Sequence, residues 1–365
     1  MQLVQFHSLE ETQAAAPAWN RLWQRSELAS PLFRAEMAVQ WLEQFGGRSP
    51  LRVLAVQQDQ EFLAILPLVQ RKARRLIRVG DLTINSWSPN GDLLLDQQAD
   101  VPRALDLLVA GLTTLPWSLL WLAMVPLESR RWQAFRAALD RRGLPHDARV
   151  RYGIGQVDLS GGLERCTAGW SKNHRRNLRK DQRRLEESGP VTLKFHRQFA
   201  PAEVDQLVTA AFELECRSWK GSQGDAVCRH PGMLEYFLHQ ARQLAEWNAL
   251  RLAFLEHAGA PIAFEYGWVG KDTYYSYKVG YDPEFARFGP GHLMRLALVQ
   301  ELCTDAAVKR IDFYGPLNEA LACWATDRYD LGELLVAMRP AGRRLLLPGL
   351  RMLRGVRRLC TRGWH

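Results

Sequence analysis

A glycine-rich turn between a predicted strand and a predicted helix is the part of the sequence best suited to hold an anion. Residues 273–279 are mostly aromatic or β-branched and predict a strand, which the segment 281–283 ends with a proline. The Gly289-Pro290-Gly291 turn then opens an apolar-periodic run to Cys303. Free backbone N–H groups and the positive end of a helix dipole meet at such a turn, and glycine lets a phosphate approach closely. The pattern indicates a phosphate site, with a plain loop before a proline-started helix as the alternative.

A strongly basic segment lies in the middle of the chain. Seven of the fourteen residues from Ser171 to Arg184 are Lys or Arg, and one is acidic. Trp170, Leu178 and Leu185 form only a thin apolar stripe. We predict a basic helix between two domains. It is either a solvated linker or a rim that attracts phosphates, nucleic acid or an anionic membrane.

The bulk composition is that of a globular protein. The chain has 365 residues, enough for two ordinary domains, and 47% hydrophobic and 10% aromatic residues allow sizeable cores. The start has no signal-peptide pattern and no run of about 18 apolar residues occurs, so we expect neither a leader nor a spanning helix. The six cysteines show no metal-ligand spacing. We therefore expect free thiols, no metal and a cytoplasmic protein.

Most of the net charge of +9 lies at the C-terminal end. From Arg339 to His365 there are eight arginines and no acid, so the rest of the chain carries only about +1. A protein wrapped in nucleic acid would be basic throughout. Residues 340–365 combine a short apolar face at Leu350 and Leu353 with many arginines, which is typical of a helix at an anionic membrane surface. A solvated basic tail is the alternative.

Hydrophobic periodicity and turn residues predict alternating strands and helices along the whole chain. The predicted strands are 3–6, 51–56, 62–69, 92–95, 117–125, 150–159, 191–195, 250–256, 262–269, 273–279, 310–314 and 331–338. The predicted helices are 9–25, 31–45, 101–112, 129–142, 201–219, 231–247 and a helix that ends at 303. In the last helix, Leu293, Leu296, Ala297 and Gln300 are expected to share one face, with Met294 and Leu298 beside it.

An internal repeat indicates two similar domains. The predicted hairpin that begins at Leu51 resembles the one that begins at Leu250, and both follow a helical segment. The first copy has Asn90-Gly91-Asp92 where the second has the glycine turn, so we expect the chemistry in the second half. The predicted parts are a first domain (1–159), a basic linker helix (160–190), a catalytic domain (191–339) and a basic tail (340–365).

The motifs of the second half resemble those of the GNAT acyltransferases. More closely, the chain resembles the tandem-GNAT group of cellulose and exopolysaccharide biosynthesis (the CelD/BcsL group), which is related to the Fem aminoacyl transferases. The matching pieces, which lie between residues 160 and 330, are 170–179, 213–224, 277–282, 289–293, 311–315 and Trp324. The usual GNAT turn has Gln or Arg three residues before its first glycine, but Ala286 stands there, with Arg287 beside it.

The resemblance implies an α/β fold with mixed sheets, two GNAT-like domains in tandem, and acyl-CoA as the co-substrate. N-acyl transfer needs a held donor, a deprotonated amine and hydrogen-bond donors for the developing oxyanion. The expected cofactor-binding residues are Arg287, Gly289, Gly291 and His292. The expected catalytic residues are Asp312 and Glu265 as bases, with Tyr277 as a hydrogen-bond donor and Lys278 pointing into the cleft or out to water.

Four further residues are expected to contact the substrates: Glu215, Trp219, Lys220 and Trp324. Glu213 and Glu215 lie roughly 200° apart on their helix, so only one of them can face the cleft. Trp219 and Lys220 end that helix, and an ordinary glycine cap with Trp219 in the core is the alternative. Asp312 as a cap or an ion-pair partner is likewise an alternative to a catalytic Asp312.

Three functions remain open from the sequence. The first is an N-acyltransferase that moves an acyl group from acyl-CoA to an amine of a sugar, amino acid or peptide. The second is a Fem-like transferase that uses aminoacyl-tRNA, although no heptad run long enough for the Fem coiled-coil arm occurs here. The third is a membrane-associated assembly factor without catalysis. In each case the basic tail would hold the protein at the inner face of the membrane.

Overall fold

A computed structural model describes residues 1–47, 49–73 and 77–340, together with Gly342 and Gly349. The chain divides into two compact units. Unit 1 consists of residues 1–28 and 32–152 and the chain from Asp330, and unit 2 consists of residues 29–31 and 153–329. Apart from three residues, the predicted membrane-binding tail lies outside the described part of the chain, so it stays a prediction.

The strands follow in chain order as β1 (Gln2–Phe6), β2 (Leu51–Gln58), β3 (Glu61–Ala73), β4 (Ile77–Leu82), β5 (Leu94–Leu95), β6 (Leu119–Val125), β7 (His146–Asp158), β8 (Val191–His196), β9 (Leu250–His257), β10 (Ala260–Gly270), β11 (Thr273–Tyr281), β12 (Arg310–Pro316) and β13 (Asp327–Ala337). The α-helices are α1 (Leu9–Ala14), α2 (Ala16–Arg25), α3 (Ala35–Trp41), α4 (Val101–Leu112), α5 (Arg130–Arg141), α6 (Gly162–Ala168), α7 (Lys172–Ser188), α8 (Pro201–Arg217), α9 (Trp219–Gln223), α10 (Met233–Glu246), α11 (Pro290–Leu302) and α12 (Glu319–Ala322). Shorter 3₁₀ turns are Pro31–Phe33, Val227–Arg229 and Pro283–Phe288, and Leu42–Gly46 forms a π-helical turn. Within the described residues, no helix combines the length and the hydropathy that a bilayer crossing requires.

Unit 1 is a sheet in the order β1-β2-β3-β4-β6-β13, and β5 pairs with β3. One apolar cluster contains the buried faces of α4 and α5, and another contains those of α2 and α3. Asp92 belongs to the segment of unit 1 that the sequence comparison matched with the glycine turn of unit 2. Its carboxylate accepts two hydrogen bonds from Arg131, at 3.0 and 2.6 Å, and one from Trp132 at 2.8 Å. This part of unit 1 therefore supports the core.

Unit 2 contains a sheet in the order β8-β9-β10-β11-β12, completed by the end of β7 beside β12. Strands β8 to β11 are antiparallel neighbours, whereas β11 and β12 are parallel. Helices α8 and α10 pack on one face through a cluster of aromatic rings that includes Phe212, Phe237 and Tyr266. Helix α11 packs on the other face through Leu293, Met294 and neighbouring apolar residues.

The repeated hairpins of the sequence are both present, as β2–β3 and β9–β10. Predicted helix 101–112 coincides with α4, but predicted helix 9–25 is two helices, with Pro17 in the first turn of the second. Strand β4 was not predicted from the sequence. The predicted linker helix, α7, belongs to unit 2, where Leu178 and Leu185 are buried in the α11 core.

Candidate functional site

The candidate site is a cavity of about 740 Å³ in unit 2, where β11 and β12 separate. The two strands pair over only three residues, from Thr273 opposite Arg310 to Tyr275 opposite Asp312. Beyond this point β11 stays paired with β10 as far as Tyr281, and the cavity lies between β11 and β12. Backbone that would have continued the sheet therefore borders an open space.

Irregularities in both strands open this space. On β11, Tyr277 is an extra residue opposite the register shift between Tyr266 and Gly267 of β10, which is a β-bulge. On β12, Tyr314 has φ of +53°, a left-handed conformation that bulky residues rarely adopt. The Asp312 carboxylate accepts a hydrogen bond of 2.8 Å from the Tyr314 N–H and so stabilises this local turn.

The glycine turn borders the cavity at the start of α11. Gly289 caps the helix with φ of +61°, and both Gly289 and Gly291 line the cavity. The N–H groups of His292 and Leu293 donate to the Gly289 carbonyl oxygen, and Pro290 has no N–H. The Gly291 N–H is therefore the first-turn donor that remains for a ligand.

Helix α7 lies beside this turn and brings both signs of charge to it. Asp181 Oδ2 would lie 3.2 Å from a Cβ atom on Gly289. The guanidinium groups of Arg184 and Arg287 lie over the Phe288 ring, 5.6 and 4.8 Å from its centroid. Arg287 is exposed and does not line the cavity. The turn thus combines one carboxylate with two cations.

His292 also lines the cavity, and Trp324 orients it. The indole Nε1–H of Trp324 donates to His292 Nδ1 at 3.2 Å, so in this hydrogen bond the imidazole proton is on Nε2. Burial, and then the charge of Arg295, lower the pKa of His292, while Asp181 opposes this shift. Trp324 is 1% exposed and does not line the cavity. It was predicted to contact the substrate, but in the structure it contacts His292 and holds that side chain in position.

A buried carboxylate, that of Glu265, and a buried guanidinium, that of Arg295, lie close together in the cavity wall. Glu265 is 1% exposed, and its Oε1 accepts a hydrogen bond of 3.1 Å from the Tyr274 hydroxyl. Arg295 is 8% exposed, and its Nη2 lies 3.8 Å from Glu265 Oε2. The guanidinium carbon of Arg295 lies 4.6 Å from the centroid of the Phe313 ring. Of the described cavity-lining residues, Glu265 is the only one with a carboxylate.

Helix α9 forms another part of the wall. Trp219 is 37% exposed, and its ring centroid lies 4.9 Å from that of Tyr281. Lys220 Nζ donates to Glu215 Oε1 at 3.1 Å and to the Val279 carbonyl oxygen at 2.7 Å. Trp219 and Lys220 line the cavity, whereas the fully buried Glu215 anchors Lys220 from behind.

Cys216 and Cys228 form a disulfide on either side of α9, with 6.1 Å between their Cα atoms. The expectation that all cysteines are free thiols is therefore wrong. The chain folds back after α8, so that Gly221 packs against the Cys216 carbonyl group, and this approach is not visible in the cysteine spacing. Cys166, Cys303 and Cys323 are free. Among the described residues, no group of three or more His, Cys, Asp or Glu side chains is arranged to hold a metal.

Asp312 and Lys278 lie outside the cavity lining. Asp312 is 3% exposed, and Gln156 donates to it at 2.9 Å in addition to the Tyr314 N–H. Burial raises the pKa of Asp312 to about 6, while Gln156 and the other donors act against this shift. Lys278 Nζ lies 5.2 Å from the Phe237 ring centroid, and burial lowers its pKa to about 8. Lys278 therefore points into the aromatic cluster.

Sequence reasoning missed Arg295. The face predicted for α11 correctly included the buried Leu293, but it also included Gln300, which is exposed, and it omitted Arg295, which is buried beside Leu293 and Met294. The sequence signal that could have identified Arg295 was a lone arginine within an apolar helix. Because a buried charge requires a partner, such an arginine indicates a site. Ser276 and Tyr281 also line the cavity and were not named as site residues.

Residues 172–329 match a protein-family model described as "Acetyltransferase (GNAT) domain". No curated protein sequence matches the chain. Among solved structures, "FemX" is similar with a TM-score of 0.61 and 13% identity, covering 94% of this chain and 100% of that one. The C-terminal domain of a putative lysylphosphatidylglycerol synthetase from Agrobacterium fabrum has a TM-score of 0.55 and 13% identity, with coverages of 95% and 97%. "L-PGS" from Bacillus licheniformis has a TM-score of 0.54 and 11% identity, with coverages of 94% and 95%.

At these identities the structural likeness establishes the fold. The protein is a mixed α/β protein with two GNAT-like units, which confirms the predicted fold class. The family match to residues 172–329, which includes all the cavity-lining residues, supports a transferase. Membership of the CelD/BcsL group stays a prediction.

Proposed function

We propose that the protein is an N-acyltransferase that moves an acyl group from acyl-CoA to an amine in the cavity of unit 2. The observation that carries this proposal is the strand separation between β11 and β12, which opens a cavity bordered by a helix-start glycine turn and containing a buried carboxylate. The acceptor classes are sugar, amino acid and peptide amines. The resemblance to the CelD/BcsL group supports a role in polysaccharide or cell-envelope biosynthesis.

The residues around the glycine turn fit the diphosphate of coenzyme A. The Gly291 N–H lies at the positive end of α11, and Arg184 and Arg287 add two cations beside it. Asp181 lies against Gly289, so an anion would bind on the Gly291 side, which borders the cavity. Coenzyme A would supply an acyl group activated as a thioester.

We assign Glu265 as the general base because it is the carboxylate that lines the cavity. The carboxylate would take a proton from the acceptor amine as the nitrogen forms its bond to the acyl carbon. Burial raises the pKa of Tyr277 well above 10, so its hydroxyl group stays protonated and can donate to the leaving sulfur or the oxyanion. Asp312 has a different role in this proposal, because its hydrogen bond to the Tyr314 N–H maintains the break in β12.

The surface of α7 favours a second candidate, in which the donor is an aminoacyl ester on tRNA. Six basic side chains of this helix are exposed: Lys172, Arg175, Arg176, Arg179, Lys180 and Arg183. Such a surface attracts a polyanion much larger than coenzyme A. The name of one similar structure refers to lysylphosphatidylglycerol, a lipid that carries an aminoacyl group.

Ligand-induced stabilisation distinguishes these donors. The full chain is heated with acetyl-CoA, longer acyl-CoAs or bulk tRNA, because a ligand at 100 times its dissociation constant adds about 2.7 kcal/mol of stability. We expect stabilisation by acyl-CoA, and release of free thiol when an amine acceptor is added. Stabilisation by tRNA alone would support the second candidate. Stabilisation by neither would contradict both transferase proposals and leave the non-catalytic assembly factor.

A further inference from the structure

Arg295 is buried in the cavity wall without the partners that a buried guanidinium needs. Its Nη1 is inaccessible to solvent and makes no hydrogen bond, and the whole residue is 8% exposed. Its ion-pair distance to Glu265 is 3.8 Å, whereas charge-assisted hydrogen bonds are usually about 2.7–2.9 Å long. Leaving a buried charged donor unsatisfied is costly. Among the described residues, the Arg295 guanidinium therefore has no acceptor at hydrogen-bond distance.

Arg131 of unit 1 provides an internal comparison. It is buried to the same degree, at 6% exposure, but it donates twice to the Asp92 carboxylate and once to Glu27 at 2.5 Å. Each of the three guanidinium nitrogens of Arg131 therefore has a carboxylate partner within the protein. Arg295 has a similarly low exposure but only the distant Glu265 carboxylate and the face of the Phe313 ring.

The other cation of the cavity does not compete for the same ligand group. Lys220 is held by Glu215 and the Val279 carbonyl oxygen. Glu265 Oε1 is held by the Tyr274 hydroxyl, and its Oε2 faces Arg295. A cationic donor with an unused N–H and a carboxylate thus lie side by side. This arrangement matches a ligand with an anionic group next to an amine.

We propose that the acceptor is an amino acid, or an amine that bears a carboxylate one carbon away. This inference rests on the proposed N-acyltransferase function and narrows its acceptor class. The ligand carboxylate accepts from the Arg295 guanidinium, which lines the cavity, and this contact directs the neighbouring amine toward Glu265. The N–C bond forms as the C–S bond of the thioester breaks, the amine proton passes to Glu265, and the thiolate of coenzyme A is finally protonated. The carboxylate remains unchanged in the N-acyl amino acid product.

Matched acceptors test the proposal with the unmodified full-length protein. Alanine, lysine and phenylalanine are compared with ethylamine, cadaverine and phenethylamine, which lack the carboxylate, and with the corresponding amino-acid amides, which neutralise it. The twenty amino acids are screened first with acetyl-CoA, by thiol release. We expect kcat/KM to be at least about 100-fold higher for an accepted amino acid than for its two analogues, because a site built around a buried charge rejects ligands that leave it unpaired. Equal rates for the three would overturn the proposal, as would transfer only to amines without a carboxylate.

Substitutions assign the preference to Arg295. We expect Arg295→Gln to reduce the amino-acid preference by about 100-fold, mainly through KM, with turnover of the carboxylate-free amine changed much less. Arg295→Lys keeps the charge but not the planar fork and should retain part of the preference. Arg310→Gln is the matched control because Arg310 is 49% exposed in its side chain and lies outside the cavity lining. Retention of the full preference in Arg295→Gln would overturn the assignment.

Failure of this inference is distinguishable from failure of the proposed function. An enzyme that acylates amines without regard to a carboxylate retains the function and contradicts the inference. If no transfer occurs, thermal stabilisation by amino acids still reports binding at the site. Loss of that stabilisation in Arg295→Gln, but not in Arg310→Gln, supports a carboxylate site. If amino acids do not stabilise the unmodified protein, the inference is contradicted. If Arg295→Gln does not fold, the comparison of matched acceptors with the unmodified protein and the acceptor preference of Arg295→Lys test the inference instead.

Discussion

Replacing Asp312 with asparagine tests whether this buried carboxylate supports the strand break or performs catalysis. The residue is 3% exposed, and burial raises its pKa from the ordinary 3.8 to about 6. Each pKa unit corresponds to about 1.4 kcal/mol, so the ionised carboxylate reduces the free energy of unfolding by about 3 kcal/mol relative to the protonated form. An asparagine at this position does not ionise, and its carbonyl oxygen can still accept from the Tyr314 N–H.

The sign of the pH dependence follows from the raised pKa. Between pH 3.8 and pH 6 the unfolded carboxyl group is ionised while the folded one still holds its proton, so folding takes up a proton in this range. Stability from this group is therefore greatest below pH 3.8, falls as the pH rises to 6, and is constant above that. Relative to the unmodified protein, Asp312→Asn should gain about 2 kcal/mol between pH 4.5 and pH 7.5.

Urea unfolding at a series of pH values measures how the difference in free energy of unfolding between Asp312→Asn and the unmodified protein changes with pH. The exposed Asp327, at the start of β13, gives a control variant, Asp327→Asn, for the general loss of one carboxylate. A difference between Asp312→Asn and the unmodified protein that does not change with pH would refute the argument from burial. A difference that moves in the opposite direction would mean that the hydrogen-bond donors outweigh burial. Near-complete loss of turnover in a stably folded Asp312→Asn would instead restore Asp312 as a catalytic residue.

Four further predictions concern the cavity, its wall and the tail. Glu265→Gln should reduce kcat by about 10²–10⁴-fold in a folded protein, and near-normal turnover would remove Glu265 as the base. Gly291→Val should abolish acyl-CoA binding, measured by calorimetry, whereas Gly169→Val, at a glycine with no atom within 4 Å of an added Cβ, should bind normally. Cys216→Ser should lower the free energy of unfolding by about 3 kcal/mol under oxidising conditions, because it opens a short closed loop, and the difference should vanish in reductant. Removal of residues 340–365 should abolish co-sedimentation with anionic vesicles at low salt; if the full chain does not sediment with them, the tail is no anchor.

The sequence predicted those parts of the fold that depend on local pattern. Helix α4 has an Asp100 cap and regular apolar spacing, and its predicted and observed limits agree. The two hairpins were recognisable because each has two largely apolar runs joined by a short turn, Asp59-Gln60 in the first and Ala258-Gly259 in the second. Strand β4 was missed because the preceding residues are basic and the strand contains Gly80 and Asp81. Tertiary contacts determine that strand, since Asp81 accepts a hydrogen bond from the Ala123 N–H.

The candidate site was only partly predictable because its chemistry depends on contacts between distant segments. The glycine turn is contiguous in sequence, and both of its glycines border the cavity. The basic segment was expected to link two domains, but Leu178 and Asp181 lie on the face that packs in unit 2, beside the turn. The Arg295–Glu265 pair joins a helix to a strand 30 positions earlier, and only the folded sheet brings them together.

The position of the cavity follows from a failure of strand pairing, which residue type alone does not encode. Phe313 and Tyr314 favour β structure, yet pairing with β11 stops at Asp312 because the chain turns there with a positive φ at Tyr314. The turn is possible because a buried carboxylate accepts the Tyr314 N–H, and that carboxylate is held in place by Gln156 from β7. Asp312 and Glu265 therefore have complementary roles in our proposal: one carboxylate maintains the gap between two strands, and the other acts on the amine that enters it.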